Sequence, residues 1–247
     1  MSFILVDEKR RRYFVPESEG KVRVRALGVV DAGAASAASP GSAIAIAGKR
    51  FMILAPTVSD LMNTLERGPQ VITEKDASMI AHFLDVRCGH TVLEIGAGSG
   101  SLSLKLLSAV GENGMVITMD NRPEHLRVAS TNISRSGIGG AWHPILADGR
   151  EFTGTSFADA ASIDIPDPWN ALESCWHALR PGRMLSSYSP TVNQTERTVS
   201  QAASSGFWHE TSFEIMMRKL EVTEGATRHS FDGPGHTGYI SIFRKVG

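Results

Sequence analysis

Val92-Leu93-Glu94-Ile95-Gly96-Ala97-Gly98-Ser99-Gly100 is the stretch that decides the fold. Thr91 to Ile95 is a short, mostly apolar run bounded by a turn, as in a buried strand. The three alternating glycines then let the backbone turn tightly and come close to a ligand. Leu102 to Val110 follows with apolar residues at helical spacing. Strand, glycine loop and helix in that order open a parallel α/β sheet that binds a nucleoside-type ligand at the loop. The dinucleotide fingerprint requires Gly or Ala at the sixth place of GxGxxG. Here that place is Ser101, which disfavours a dehydrogenase. Glu94, ahead of the turn, would repel a pyrophosphate and suits an amino group.

Downstream, strands and helices alternate. Met115–Met119 reads as a strand, Pro123–Ile133 as a helix and Pro144–Ala147 as a third strand. Ser162–Ile165 is a strand and Asn170–Leu179 a helix closed by Pro181-Gly182. Met184–Tyr188 is a strand, Thr195–Ser204 a helix, and Phe213–Glu221 and Gly238–Phe243 closing strands. Upstream, Asp76–Leu84 has helical spacing. This alternation predicts a Rossmann-like, doubly wound α/β sheet. Residues 1–60 differ: Ser2–Val6, Val22–Ala26, Ala43–Ala47 and Arg50–Leu54 read as short strands with no long helix. The small-residue stretch Ala32–Ala47 reads as loop and strand. A small β domain over 1–60 and a catalytic domain over 61–247 are expected, joined by a helix over Val58–Gly68.

Acidic residues stand at successive strand ends. Asp120, followed by Asn121, closes the second strand, where a carboxylate can accept ribose hydroxyls. Asp148 closes the third, where an acid can reach an adenine amino group. Either acid could instead cap a helix. With Glu94, Gly96, Gly98, Gly100 and Ser101, they resemble the E/D-x-G-x-G-x-G pattern of class I methyltransferases. That resemblance implies S-adenosylmethionine as cofactor.

A second motif, Asp164-Ile165-Pro166-Asp167-Pro168-Trp169, ends the fourth strand. It resembles the signature of the tRNA (adenine-58-N1) methyltransferase family. Arg67–Asp76, Ser189–Gln194 and Gly235–Tyr239 resemble further signatures of that family, and the likeness spans nearly the whole chain. It implies Asp164 as the catalytic carboxylate, with Asp167 the neighbouring alternative. It also implies a cofactor contact from Gln70 and a tRNA substrate methylated at adenine 58, with adenine 57 a possible second target. Gln194 and His236 are expected at the substrate side, although His236 could equally pin the backbone beside Gly235 and Gly238. Trp169 is expected to anchor packing. Thr73 and Glu74 replace an aromatic and a proline common in the family. The family usually assembles as a tetramer.

The net charge of −1 over 247 residues gives no overall basic surplus for nucleic acid. Basic residues are local: Lys9-Arg10-Arg11-Arg12, then Lys21, Arg23 and Arg25. Arg10 and Arg12 are expected to contact tRNA phosphates. The same run could simply be a solvated surface. Cys88 and Cys175 form no metal spacing, and no metal site is expected. The early charges exclude a secretory signal, no segment is apolar enough to span a membrane, and a cytoplasmic protein is expected. Two other functions share parts of this pattern. A methyltransferase acting on small molecules or protein carboxylates would need neither the basic β region nor the Asp164–Trp169 motif. A non-catalytic tRNA-binding subunit would typically lose the glycine loop and the catalytic acid, both of which are present here.

Overall fold

The computed structural model describes residues 2–66, 71–231 and 235–246. The N-terminal part contains β1 (Phe3–Asp7), β2 (Arg12–Val15), β3 (Lys21–Val24), β4 (Gly28–Asp31), α1 (Ala32–Ser36), β5 (Ala43–Ile46) and β6 (Lys49–Leu54). One sheet has the order β2-β1-β6-β5, and β3 pairs with β4 in a separate hairpin. Leu5, Val15, Val30, Phe51 and Ile53 form a core between them. The stretch from Ala32 is not all loop and strand. Asp31 accepts from the backbone N–H of Ala34 and caps α1, a start signal easily lost among small residues. Ile4 and Phe14, on β1 and β2, are buried in the main core beside Leu61 and Ile80.

Next come α2 (Val58–Asn63), α3 (Glu74–Phe83), β7 (Thr91–Ile95), α4 (Ser101–Val110), β8 (Met115–Asp120), α5 (Pro123–Ser136) and β9 (Trp142–Leu146). The chain continues through β10 (Ala158–Ile163), α6 (Leu172–Ala178), β11 (Leu179–Ser189), α7 (Val192–Ser204), β12 (Phe207–Glu214), β13 (Leu220–Glu221), β14 (Arg228–His229) and β15 (Tyr239–Lys245). Seven strands form one sheet in the order β12-β15-β11-β10-β7-β8-β9. The pairings β11-β10-β7-β8-β9 are parallel, and β15 inserts antiparallel between β11 and β12. The expected Rossmann-like α/β sheet is what the chain forms. Consecutive strands β7 and β8 run one way across the sheet and β10 starts the other. The carboxyl ends of β7 and β10 therefore flank a topological switch point, where such sheets bind ligands.

Three element boundaries differ from the pattern-based expectation. The strand expected over Phe213–Glu221 is β12, which starts at Phe207 and ends at Glu214. Leu220 and Glu221 instead pair with Arg228 and His229 in a small ribbon. The helix after Trp169 ends at Ala178, and β11 runs straight through Pro181-Gly182. Proline there does not stop the strand, because it lies within the initial part of β11, before the pairing with β10 resumes at Met184. Among the described residues, no helix is long and apolar enough to cross a membrane.

Candidate active site

Two cavities adjoin at the carboxyl ends of β7, β8 and β10. The smaller, of about 390 Å³, is lined by Met119, Asp120, Asn121, Asp148, Arg150 and Asp167, among others. The larger, of about 480 Å³, is lined by Gly98, Asp120, Arg122, His125, Asp164, Pro190 and Gln194, among others. Asp120, Arg122, Ile165 and Pro166 border both, so the two form one cleft. Their volumes suit small organic groups.

The glycine loop sits where sequence placed it. Gly96 has φ +101 and packs on the backbone of Asp164 so closely that a Cβ would strike the Asp164 carbonyl. Gly98 has φ +49, and a Cβ there would meet nothing within 4 Å. Its bare backbone therefore faces the larger cavity. Gly100 caps α4 in a left-handed conformation. Ser99 Oγ is buried with no hydrogen-bond partner among the described residues. Ser101 Oγ donates to the carbonyl of Ile72 at 2.7 Å, which ties α4 to the segment entering α3.

The acids behave differently from one another. Glu94 is buried, and its Oε2 accepts from Ser103 and Thr118, each at 2.6 Å. Burial pushes its carboxyl up to about 7. Asp120 accepts from the backbone N–H of Ala97 at 3.0 Å and of Arg122 at 2.9 Å, and lies 3.1 Å from His125 Nδ1. Asp148 is clamped by the Arg150 guanidinium and held near 2, with Asn121 contributing. Asp164 follows β10 directly, and its carboxyl has no hydrogen-bond partner among the described residues. Burial, aided by the charge of Asp120 and opposed by Arg122, pushes it up to about 7.

On the other wall, Gln194 Nε2 donates to the Pro166 carbonyl at 2.8 Å, fixing the turn after Asp164. His236 is placed between Glu214 Oε1 at 2.6 Å and the Pro190 carbonyl at 3.0 Å. Its geometry is that of a clamp on the loop that borders the larger cavity. Trp169 lies under the Arg197 guanidinium, 4.0 Å from the ring centroid, and packs in the interior as an anchor. Thr73 donates to Asp76, and Glu74 accepts from Ser59 and Asn63, so both departures from the family pattern serve local structure. Arg12 pairs with the buried Asp60, whereas Arg10 sits exposed in the β1–β2 turn. Both lie on the β1–β2 side, and neither is among the residues that line the cleft. Gln70 falls outside the described residues.

Pattern reading missed Arg122, His125 and Arg150. Each follows a strand-end acid within a few residues, on the loop or first helical turn that faces the ligand side of the sheet. For Arg122 and Arg150 a charged residue two positions after such an acid was the available signal; His125, five positions after Asp120, carried none.

Residues 50–233 match the family described as the tRNA methyltransferase complex GCD14 subunit. The chain belongs to that family. It is 33% identical to the tRNA (adenine(57)-N(1)/adenine(58)-N(1))-methyltransferase of Methanocaldococcus jannaschii, over 98% of this chain and 94% of that protein. It is 32% identical to the tRNA (adenine(58)-N(1))-methyltransferase of Thermus thermophilus, over 98% of this chain and 96% of the other. A Thermotoga maritima structure described as a SAM-dependent O-methyltransferase superposes with a TM-score of 0.90 at 29% identity, covering 100% of this chain and 93% of that one. The fold also matches the Aquifex aeolicus tRNA (m1A58) methyltransferase, with a TM-score of 0.82 at 22% identity over 100% of this chain and 97% of that one.

Membership and fold make this GCD14-family protein a methyltransferase whose methyl donor is S-adenosylmethionine. The residues present fit that group. The open backbone at Gly98 and the acids Asp120, Asp148 and Asp164 line one cleft, and the Ser99 hydroxyl of the same loop has no partner among the described residues.

Proposed function

We propose that this protein methylates N1 of adenine 58 in the T-loop of tRNA, with adenine 57 open as a second target. The carrying observation is Asp164: its backbone packs on Gly96 of the glycine loop, and its carboxyl, with no hydrogen-bond partner among the described residues, stands at the wall of the larger cavity. The proteins it resembles at 32 and 33% identity bear that activity in their names.

In this reading the adenosyl group occupies the smaller cavity. Asp120 takes the ribose hydroxyls, and Asn121 and Asp148 face the adenine. Gly96, Gly98, Gly100 and Ser101 complete the methionine side, with Glu94 buried behind them on Ser103 and Thr118; Gln70 is a cofactor contact by family resemblance alone. Bound S-adenosylmethionine supplies an already activated methyl, so the protein's task is alignment and exclusion of water. The target base, flipped out of the tRNA elbow, enters the larger cavity between Asp164 and Gln194. Adenine N1 attacks through its lone pair and gains positive charge. The Asp164 carboxylate accepts a hydrogen bond from the N6 amino group, stabilises that charge and can take the N6 proton. A carboxyl balanced near 7 suits that exchange at neutral pH. Gln194 holds the turn, and His236 holds the opposing loop.

Residues 1–60 act as a tRNA-binding unit and 61–247 as the catalytic unit, with Arg10 and Arg12 on the basic face. The assembly is a cytoplasmic homotetramer. The exposed apolar side chains Met216, Met217, Leu220, Val222 and Phe231, clustered around β13 and β14, supply a surface for it.

The test is to incubate the protein with unmodified tRNA transcript and labelled S-adenosylmethionine, then identify nucleosides by mass spectrometry. Labelled 1-methyladenosine in the T-loop is expected. Cofactor binding without label in tRNA would move the substrate to another class, oxygen nucleophiles included. Light scattering of the same sample tests the tetramer.

A further inference from the structure

The turn that carries Asp164 is gripped from the cofactor side as well as from the substrate side. Arg150 Nε and Nη2 donate to Asp148 Oδ1 and Oδ2 at 2.8 and 2.6 Å. Its Nη1 donates to Asp167 Oδ2 at 2.9 Å, and Asn170 reaches the same oxygen at 2.6 Å. One guanidinium thus spans two carboxylates on different loops, both lining the smaller cavity. Asp167 lies three residues beyond Asp164, and Gln194 holds the intervening Pro166 from the opposite side.

We propose that Arg150 is a positioning residue through which occupancy of the adenosyl cavity sets the turn carrying Asp164, so that cofactor and tRNA bind with positive coupling. The physical link is competition for one cation. A donor arriving at Asp148, such as an adenine amino group, satisfies part of that carboxylate. Arg150 then bears more fully on Asp167, and the Asp164–Asp167 turn is held in the arrangement that receives the target base. By linkage, tRNA in the larger cavity tightens cofactor binding by the same factor. The planar fork grips Asp148 through two N–H bonds and reaches Asp167 with a third; a lysine ammonium, a point charge on a flexible stem, does not reproduce that fixed geometry. The inference rests on the proposed tRNA substrate and on adenosyl binding beside Asp148.

The test measures the dissociation constant of S-adenosylhomocysteine by calorimetry, with and without saturating unmodified tRNA transcript. Wild-type protein is expected to bind it at least about fivefold more tightly with tRNA present, the lower end of ordinary coupling. Arg150→Lys keeps the charge but loses the span, and should bring that ratio to roughly one. Asp167→Asn cuts the bridge from the other end, leaves the Arg150–Asp148 clamp in place, and should do the same. In both variants the tRNA KM should rise more than kcat falls. A wild-type ratio retained in both variants, or no ratio in wild type, overturns the coupling. A wild-type protein that transfers no methyl to tRNA overturns the substrate reading and the coupling with it; methyl transfer with unchanged ratios overturns the coupling alone.

Discussion

The carbonyl of Asp164 sits where a Cβ on Gly96 would have to stand. The residue that opens the cofactor loop and the proposed catalytic residue are therefore packed backbone to backbone. The Asp164 N–H completes the junction, donating to the carbonyl of Ile95 at 2.8 Å. The glycine at 96 thus serves the substrate side of the cleft as much as the cofactor side.

Gly96→Ala should displace the Asp164 turn and adopt a strained positive φ. A shift of about 1 Å at such a site costs on the order of a hundredfold in turnover. Gly98→Val has a different expectation. It also takes a strained positive φ, at about 1–3 kcal/mol, but its side chain meets open cavity rather than backbone, so cofactor affinity should collapse with a smaller loss of stability than in Gly96→Ala. Calorimetry with S-adenosylhomocysteine and thermal unfolding of both variants separate the two. Equal cofactor affinity in Gly98→Val and wild type would remove the loop from the cofactor site.

Asp164 should set the acid limb of the pH–rate profile. Its ionised form accepts the N6 hydrogen bond, so turnover should rise with pH through about 7 and level off above it. Asp164→Asn should lose about 10²- to 10⁴-fold in turnover and flatten that limb, with cofactor affinity near wild type. The stability effect has the opposite sign. The folded state favours the protonated acid, so its stabilising contribution is full below the ordinary carboxylate range and is lost as pH rises through about 7. Asp164→Asn should therefore raise the unfolding temperature at pH 8 relative to wild type and leave it nearly unchanged near pH 4.

Much of this site was legible in sequence because its parts are local. Gly96 to Ser101 spell a turn, and Asp120, Asp148 and Asp164 announce themselves as acids at strand ends. What escaped is non-local. The Arg150 bridge joins residues 17 positions apart, and the His236 clamp joins loops 46 positions apart. Nor does spacing separate the roles of the acids. Glu94 and Asp120 have the same strand-end context, yet Glu94 is turned into the interior onto Ser103 and Thr118. Helix α1 was lost among alanines and serines, which carry too little apolar contrast to show a period. The basic run from Lys9 to Arg12 is split by the fold between a turn and a strand, which its charge alone does not reveal.

His236 should act through its loop rather than on the methyl. Both ring nitrogens face acceptors, Glu214 and the Pro190 carbonyl, so the clamp closes fully only on the protonated ring. The hydrogen bond to Glu214 raises its basicity above the ordinary histidine range. The clamp is thus fully present below the ordinary histidine range and is lost as pH rises through that raised value. His236→Ala should raise the tRNA KM severalfold, with S-adenosylhomocysteine affinity unchanged, and the deficit relative to wild type should narrow at alkaline pH. A deficit that is constant across pH would show that ring charge plays no part.

Arg10 and Arg12 stand two positions apart in the basic run, and the fold gives them different work. Arg12 neutralises Asp60, a buried acid that also forms the capping box of α2 with Thr57. Arg12→Ala leaves that acid without its cation and should cost about 1–3 kcal/mol of stability. Any loss of tRNA binding in that variant is then mixed with a loosened α2. Arg10 is exposed in the β1–β2 turn, and Arg10→Ala should change stability by no more than about 0.5 kcal/mol. If Arg10 meets a tRNA phosphate, its removal should weaken binding and lower the slope of log affinity against log salt by about one unit. Filter binding across a salt series reads that slope directly. An unchanged slope in Arg10→Ala would leave the β1–β2 turn as solvated surface and move the phosphate contacts to Lys21, Arg23 and Arg25.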